Sequence, residues 1–98
     1  MWLYLLTVTA NDTNEVFAPG QVHALLAFVV GATEAERRVR LVASVQEHGW
    51  SHEELKRAKD LGHEKPVEAS DEASNAWEAA VQDGVALIAY PEPAVPGG

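Results

Sequence analysis

Residues 33–50, Thr-Glu-Ala-Glu-Arg-Arg-Val-Arg-Leu-Val-Ala-Ser-Val-Gln-Glu-His-Gly-Trp, carry both the start and the stop signal of a helix. Thr33 precedes Glu36 by three residues, the spacing in which a hydroxyl and a carboxylate each satisfy a backbone N–H that the first turn leaves without a partner. Gly49 supplies the left-handed residue that ends the helix. At 100° per residue Ala35, Val39, Leu41, Val42, Ala43 and Val45 share one arc, and Glu36, Arg37, Arg40, Ser44, Glu47 and His48 share the other. The pattern predicts a surface helix from Thr33 to His48 lying on a sheet, with the first arc inward.

The segments around this helix follow from it. Trp2 to Ala10 is rich in aromatic and β-branched residues and lacks a helical period, which predicts a strand. Asn11, Asp12, Asn14, Pro19 and Gly20 mark a loop, and Val22 to Val30 follows as a second strand that pairs with the first as a hairpin. Val16 and Phe17 suggest that the strands extend into that loop. Ser70, followed by Asp71 and Glu72, opens a second helix, with Ala73, Ala76, Trp77, Ala80 and Val81 on one stripe and Gly84 at its end. Val85 to Tyr90 is a last strand.

Residues 51–62 carry conflicting signals. Ser51-His52-Glu53-Glu54 repeats the capping spacing, Leu55, Ala58 and Leu61 keep a helical period, and Gly62 stands where a stop belongs, so local propensity favours a helix. A strand here suits only an edge, since its charges would face both ways. The fold class is therefore α+β, a small single-layer, mostly antiparallel sheet of three to four strands packed on two to three helices, in the order β-β-α-(α or β)-α-β. Residues 1–90 form one domain, and Pro91, Pro93, Pro96 and the terminal glycines make 91–98 a Pro/Gly-rich disordered tail.

Composition limits the function. A hydrophobic share of 47% with 22% charged residues belongs to a folding globular chain. At 98 residues one modest core is sufficient, because such a chain buries roughly 60 to 65% of its unfolded surface. The absence of cysteine removes disulfides and thiolate chemistry. The net charge of −8 is concentrated in residues 63–98, which hold seven acids against Lys65 alone. That balance argues against nucleic acid and anionic membrane surfaces and towards a basic protein partner. The apolar start has no Lys or Arg before Arg37, so it reads as a strand and not as a leader. The longest apolar run, Ala24 to Val30, is far short of the roughly 20 residues of a membrane span. A soluble, cytoplasmic protein is expected.

No motif specifies a reaction. His48 and His52 are four apart, but Gly49 interrupts the helix that would place them together, and no metal or cofactor is expected. His23, His48, Trp50 and His52 are the candidate ligand-binding residues, at one edge of sheet and helix. Adjacent acids such as Glu53 and Glu54 point apart and form no acid–base pair. The feature with most bearing on function is that both strands of the hairpin are apolar on both faces, whereas a sheet with helices on one side alternates apolar and polar residues. Of a third layer, a curled sheet or a partner subunit, the partner is favoured, and a twofold homodimer is its commonest form. The resulting expectation is a non-enzymatic interaction or regulatory domain that self-associates through its sheet. The alternative is a small-molecule-binding protein or enzyme with a pocket near Trp50, His52 and His23.

Overall fold

Gly49 turns the chain from the first helix into a strand. In the computed structural model, which describes residues 1–65 and 67–92, helix α1 spans Glu34–Glu47. Its N-cap Thr33 accepts from the Glu36 N–H, and the Glu36 carboxylate reaches back to the N–H of Ala32, one residue earlier than the reciprocal capping bond predicts. Gly49 follows at φ +84°, and its carbonyl accepts from Asn11 N–H at 3.0 Å. A Cβ at Gly49 would stand 2.6 Å from the Asn14 backbone, so only glycine fits both the conformation and the contact.

The chain continues as a strand and not as the helix that propensity favours at residues 51–62. β3, Trp50–Asp60, pairs antiparallel with β1, Trp2–Ala10. Two register shifts explain the misleading period. Tyr4 and Leu6 lie on one face of β1, yet their partners are Ala58 and Leu55, three apart, because the shift between Leu5 and Leu6 leaves an extra residue on β3. The i, i+3 spacing thus arises from a bulged strand. A second shift, between Thr7 and Thr9, coincides with His52 at φ +53°. The capping signal at Ser51 offers about 1 kcal/mol, and the ladder along β1 outweighs it.

The hairpin forms as expected, β1 pairing with β2, Val22–Val29, from Trp2↔Val29 to Thr9↔Val22. β4, Val85–Ala89, pairs antiparallel with the far side of β2, which gives the order β3-β1-β2-β4. Residues 11–21 form a loop, and Val16 and Phe17 do not extend the strands. Among the described residues the architecture is α+β, a four-stranded antiparallel sheet with two helices.

The helices lie on opposite faces of that sheet, so the sheet is the middle of three layers. On one face Tyr4, Leu6, Val8, Leu25, Ala27 and Val29 pack under Leu41 and Val45 of α1, with Trp50 closing the end. The inward stripe of α1 is Arg37, Leu41, Ser44 and Val45, which corrects the arc expected from hydrophobicity. Ala35 and Ala43 are exposed and Val39 is 70% exposed. The physical reason is Arg37, whose guanidinium finds neutral partners inside and so brings a polar residue into the stripe.

On the other face α2, Asp71–Asp83, packs Ala76, Trp77 and Ala80 on Phe28, with Leu3, Ala86 and Ile88 beside them. Ser70 caps it by accepting from Ala73 N–H, and Val81, expected on the inward stripe, is 63% exposed. α2 lies over β2 and β4 only. Leu5, Ala24, Leu26 and Val22 share its face and are half-buried, and among the described residues they belong to neither core cluster. The second face is therefore covered at one end and open at the other. Of the tail expected at 91–98, residues 93–98 lie outside the described residues, and Pro91 and Glu92 are exposed.

Gly49→Ala is expected to cost about 2 kcal/mol or more, through strain and the Asn14 contact. Gly62→Ala, also at positive φ but with no atom near its Cβ, is expected to cost about 1 kcal/mol. Urea unfolding of both variants checks the ranking.

Candidate functional site

The candidate residues divide between two places. His23 is fully buried on β2, and Trp50, at the head of β3, sits beside it with ring centroids 5.6 Å apart. Phe17 covers the histidine at 4.0 Å and lies 5.5 Å from Trp50, which makes a cluster of three rings. His48, at the end of α1, lines a cleft of about 300 Å³ with Asn14, Phe17, Trp50 and Leu87. His52 is exposed in the β3 bulge and is neither in this ring cluster nor in the lining of the cleft.

Asn14 holds the cluster together. Its Oδ1 accepts from the N–H groups of Val16 at 3.0 Å and Phe17 at 2.8 Å, while its Nδ2 donates to the Gly49 carbonyl at 3.3 Å. One side chain thus fixes the loop that carries Phe17 to the turn that launches Trp50. Phe17 was not among the residues expected at the site. The signal for it was Asn14 three residues before an apolar aromatic, an Asx-type turn that folds the loop inward.

The chemistry available at His23 is restricted by its own hydrogen bonds. Nδ1 lies 2.8 Å from the Tyr90 carbonyl, which can only accept, so Nδ1 carries a proton. Nε2 lies 3.2 Å from the side-chain Oε1 of Gln21. Both nitrogens are engaged within the chain. His48 likewise donates from Nδ1 to the Ser44 carbonyl at 2.7 Å, which leaves Nε2 for the cleft. The cleft is apolar and aromatic, with few polar groups converging on it. Among the described residues no three His, Asp or Glu side chains are placed to share a metal ion.

A second polar cluster lies beneath α1. Arg37 is 8% exposed, donates from Nε to the Tyr4 hydroxyl at 3.0 Å and from Nη1 to the Gly31 carbonyl at 2.9 Å, and stacks 4.4 Å over the Trp2 ring. Among the described residues it has no carboxylate partner. The charge is held by a hydroxyl, a carbonyl and a π-face, which together anchor α1 to β1. Gly31 is needed for that approach, since a Cβ there would stand 2.7 Å from Arg37 Cγ.

Two substitutions separate packing from display. His23→Ala is expected to lose about 2 to 4 kcal/mol of stability by emptying a buried site and orphaning the Tyr90 carbonyl. His52→Gly is expected to leave stability unchanged or raise it by about 0.5 kcal/mol, because glycine relieves the positive φ. Chemical denaturation of each variant measures both. Tyr4→Phe, which leaves the buried Arg37 Nε without its acceptor, is expected to cost about 1 to 3 kcal/mol in the same assay. No helix among the described residues is long and apolar enough to cross a membrane. Comparison with protein-family models, with curated proteins and with solved structures finds no match to this chain.

Proposed function

We propose that this protein is a small non-enzymatic interaction or regulatory domain that self-associates through the uncovered half of its sheet. The observation that carries the reading is the open end of the second face. Leu5 and Leu26, paired across β1 and β2, and Ala24 with Val22 lie there half-buried outside both core clusters. An apolar sheet face next to solvent is what association covers. The occupant we favour is a second copy. Along β3 the residues aligned with this face are Ser51, Glu54, Arg57 and Lys59, charges of both signs in one row. A twofold arrangement sets such a row against itself in reverse, so that acid meets base across the interface.

The pocket reading has less in its favour. The aromatic cleft by Trp50 exists, but the buried histidine beside it has both nitrogens hydrogen-bonded within the chain. Among the described residues that line the cleft, His48 is the one with a titratable side chain.

Sedimentation equilibrium and light scattering of the full chain test the self-association. A dimer at micromolar concentration is expected, with a thermal midpoint that rises with protein concentration. Leu5→Lys combined with Leu26→Lys is expected to raise the dissociation constant about a hundredfold or more while the circular dichroism spectrum is retained. A wild-type chain that is monomeric at that concentration overturns the reading.

A further inference from the structure

β4 is an edge strand with an unused row of backbone hydrogen-bonding groups. Tyr90 N–H donates to the Ala24 carbonyl at 3.0 Å and Val30 N–H to the Gly84 carbonyl at 2.9 Å, on either side of the ladder that pairs Leu25↔Ala89 through Val29↔Val85. Hydrogen-bonded pairs alternate along an antiparallel ladder, so Ala86 and Ile88 bond to β2, and the N–H and C=O groups of Val85, Leu87 and Ala89 point away from it. Among the described residues none of these outward groups has a hydrogen-bond partner.

The two edges of the sheet are built differently. β3 carries Glu53, Glu54, Lys56, Arg57, Lys59 and Asp60 and two register shifts, features that discourage an incoming strand. β4, Val-Ala-Leu-Ile-Ala, has no charge, no proline and no irregularity in its pairing. It is open to strand addition.

The surroundings of β4 specify the charge of what would join it. A groove of about 590 Å³ runs beside the strand, with Ser44 and Glu47 of α1 on one side and Ala79 and Asp83 of α2 on the other. Both helices end at this groove, and the last residue of each is an acid, Glu47 and Asp83; His48, the C-cap of α1, also lines it, with its Nδ1 turned to the Ser44 carbonyl. The negative ends of two helix dipoles are thus reinforced, where a cation would ordinarily stand. Neither acid has an ion-pair partner among the described residues. Arg40, which also lines the groove, pairs with Glu36 at 3.1 Å and donates to the Val30 carbonyl, so its charge is already engaged.

We infer that β4 accepts an extended, basic peptide segment of a partner protein as a fifth strand. Backbone bonds to Val85, Leu87 and Ala89 hold the segment, and its alternate side chains project to the α1 side, towards Glu47, and to the α2 side, towards Asp83. Lysine or arginine on either side answers the two carboxylates and the helix ends. A second copy of this chain fits the edge poorly. It would bring another Glu47 and Asp83 into the same groove, between two chains each of net charge −8. The site is separate from self-association, which uses the sheet face over β1 and β2.

The test uses the full isotope-labelled chain and a short acetylated, amidated peptide of alternating lysine and valine, compared with its glutamate–valine counterpart. The basic peptide is expected to bind, to slow amide exchange at Val85, Leu87 and Ala89, and to bind at least about tenfold tighter than the acidic one. Ala89→Pro removes an outward N–H and no ladder bond, and it is expected to weaken binding about tenfold with the sheet intact. Glu47→Lys with Asp83→Lys, both at exposed positions, is expected to weaken the basic peptide and strengthen the acidic one. Equal binding of the two peptides, binding that leaves those amides unprotected, or protection of those amides by rising protein concentration alone each overturns the proposal. Loss of self-association with peptide binding retained separates this site from the sheet-face reading.

Discussion

The second strand has no polar face, and the rest of the molecule is arranged around that constraint. His23, Leu25, Ala27 and Val29 point one way along β2, and Ala24, Leu26 and Phe28 the other. A sheet of this kind needs cover on both sides, and the described residues supply it with two helices. The longer one takes the face under Tyr4, Leu6 and Val8. The shorter one, confined to β2 and β4, reaches only the end of the opposite face near Phe28. The open area around Leu5 and Leu26 is what two helices leave over.

Arg37 decides which side of α1 turns inward. A hydrophobicity arc ranks the helix by side-chain type, and on that measure Val39 and Ala43 belong inside. The guanidinium reverses the ranking because its partners are placed to receive it: the Tyr4 hydroxyl, the Gly31 carbonyl and the Trp2 ring lie on elements that α1 must cross in any case. Once Arg37 is seated, Leu41, Ser44 and Val45 follow one and two turns later on the same side. A buried cation with neutral partners avoids the need for a buried carboxylate as well, whose desolvation would add to the cost. It also commits the helix to one rotation, since no other residue of α1 finds these acceptors.

Much of the fold could be read from local chemistry, and the parts that could not share a cause. Thr33, Ser70, Gly49 and Gly84 fixed both helices within a residue or two, because a cap is decided by its immediate neighbours. β1 and β2 were legible from their composition. Residues 51–60 were not, because a bulged strand and a helix place Leu55 and Ala58 on one side equally well, and only the waiting edge of β1 distinguishes them. The inward stripe of α1 was missed because it depends on Tyr4, thirty-three residues away. At the candidate site the pairing of His23 with Trp50 is borne by the β2–β1–β3 registers, and Phe17 joins them through Asn14. The exposed place of His52 follows from the same bulge that disguised the strand.

The sheet order has a consequence for how the molecule comes apart. β3, β1, β2 and α1 enclose Tyr4, Leu6, Val8, Leu41, Val45 and Trp50 among themselves, whereas α2 and β4 join them from one side, through the ladder to β2, the packing of α2 on Phe28 and the contact of Val85, Leu87 and Ala89 with the larger core. Detaching residues 70–89 removes the cover that Val85, Leu87 and Ala89 give the larger core but leaves β3, β1 and β2 paired under α1. Partial opening of this kind costs less than global unfolding. That segment carries one lip of the acidic groove, Ala79 and Asp83, together with the strand edge itself, so the groove exists only while the segment is in place.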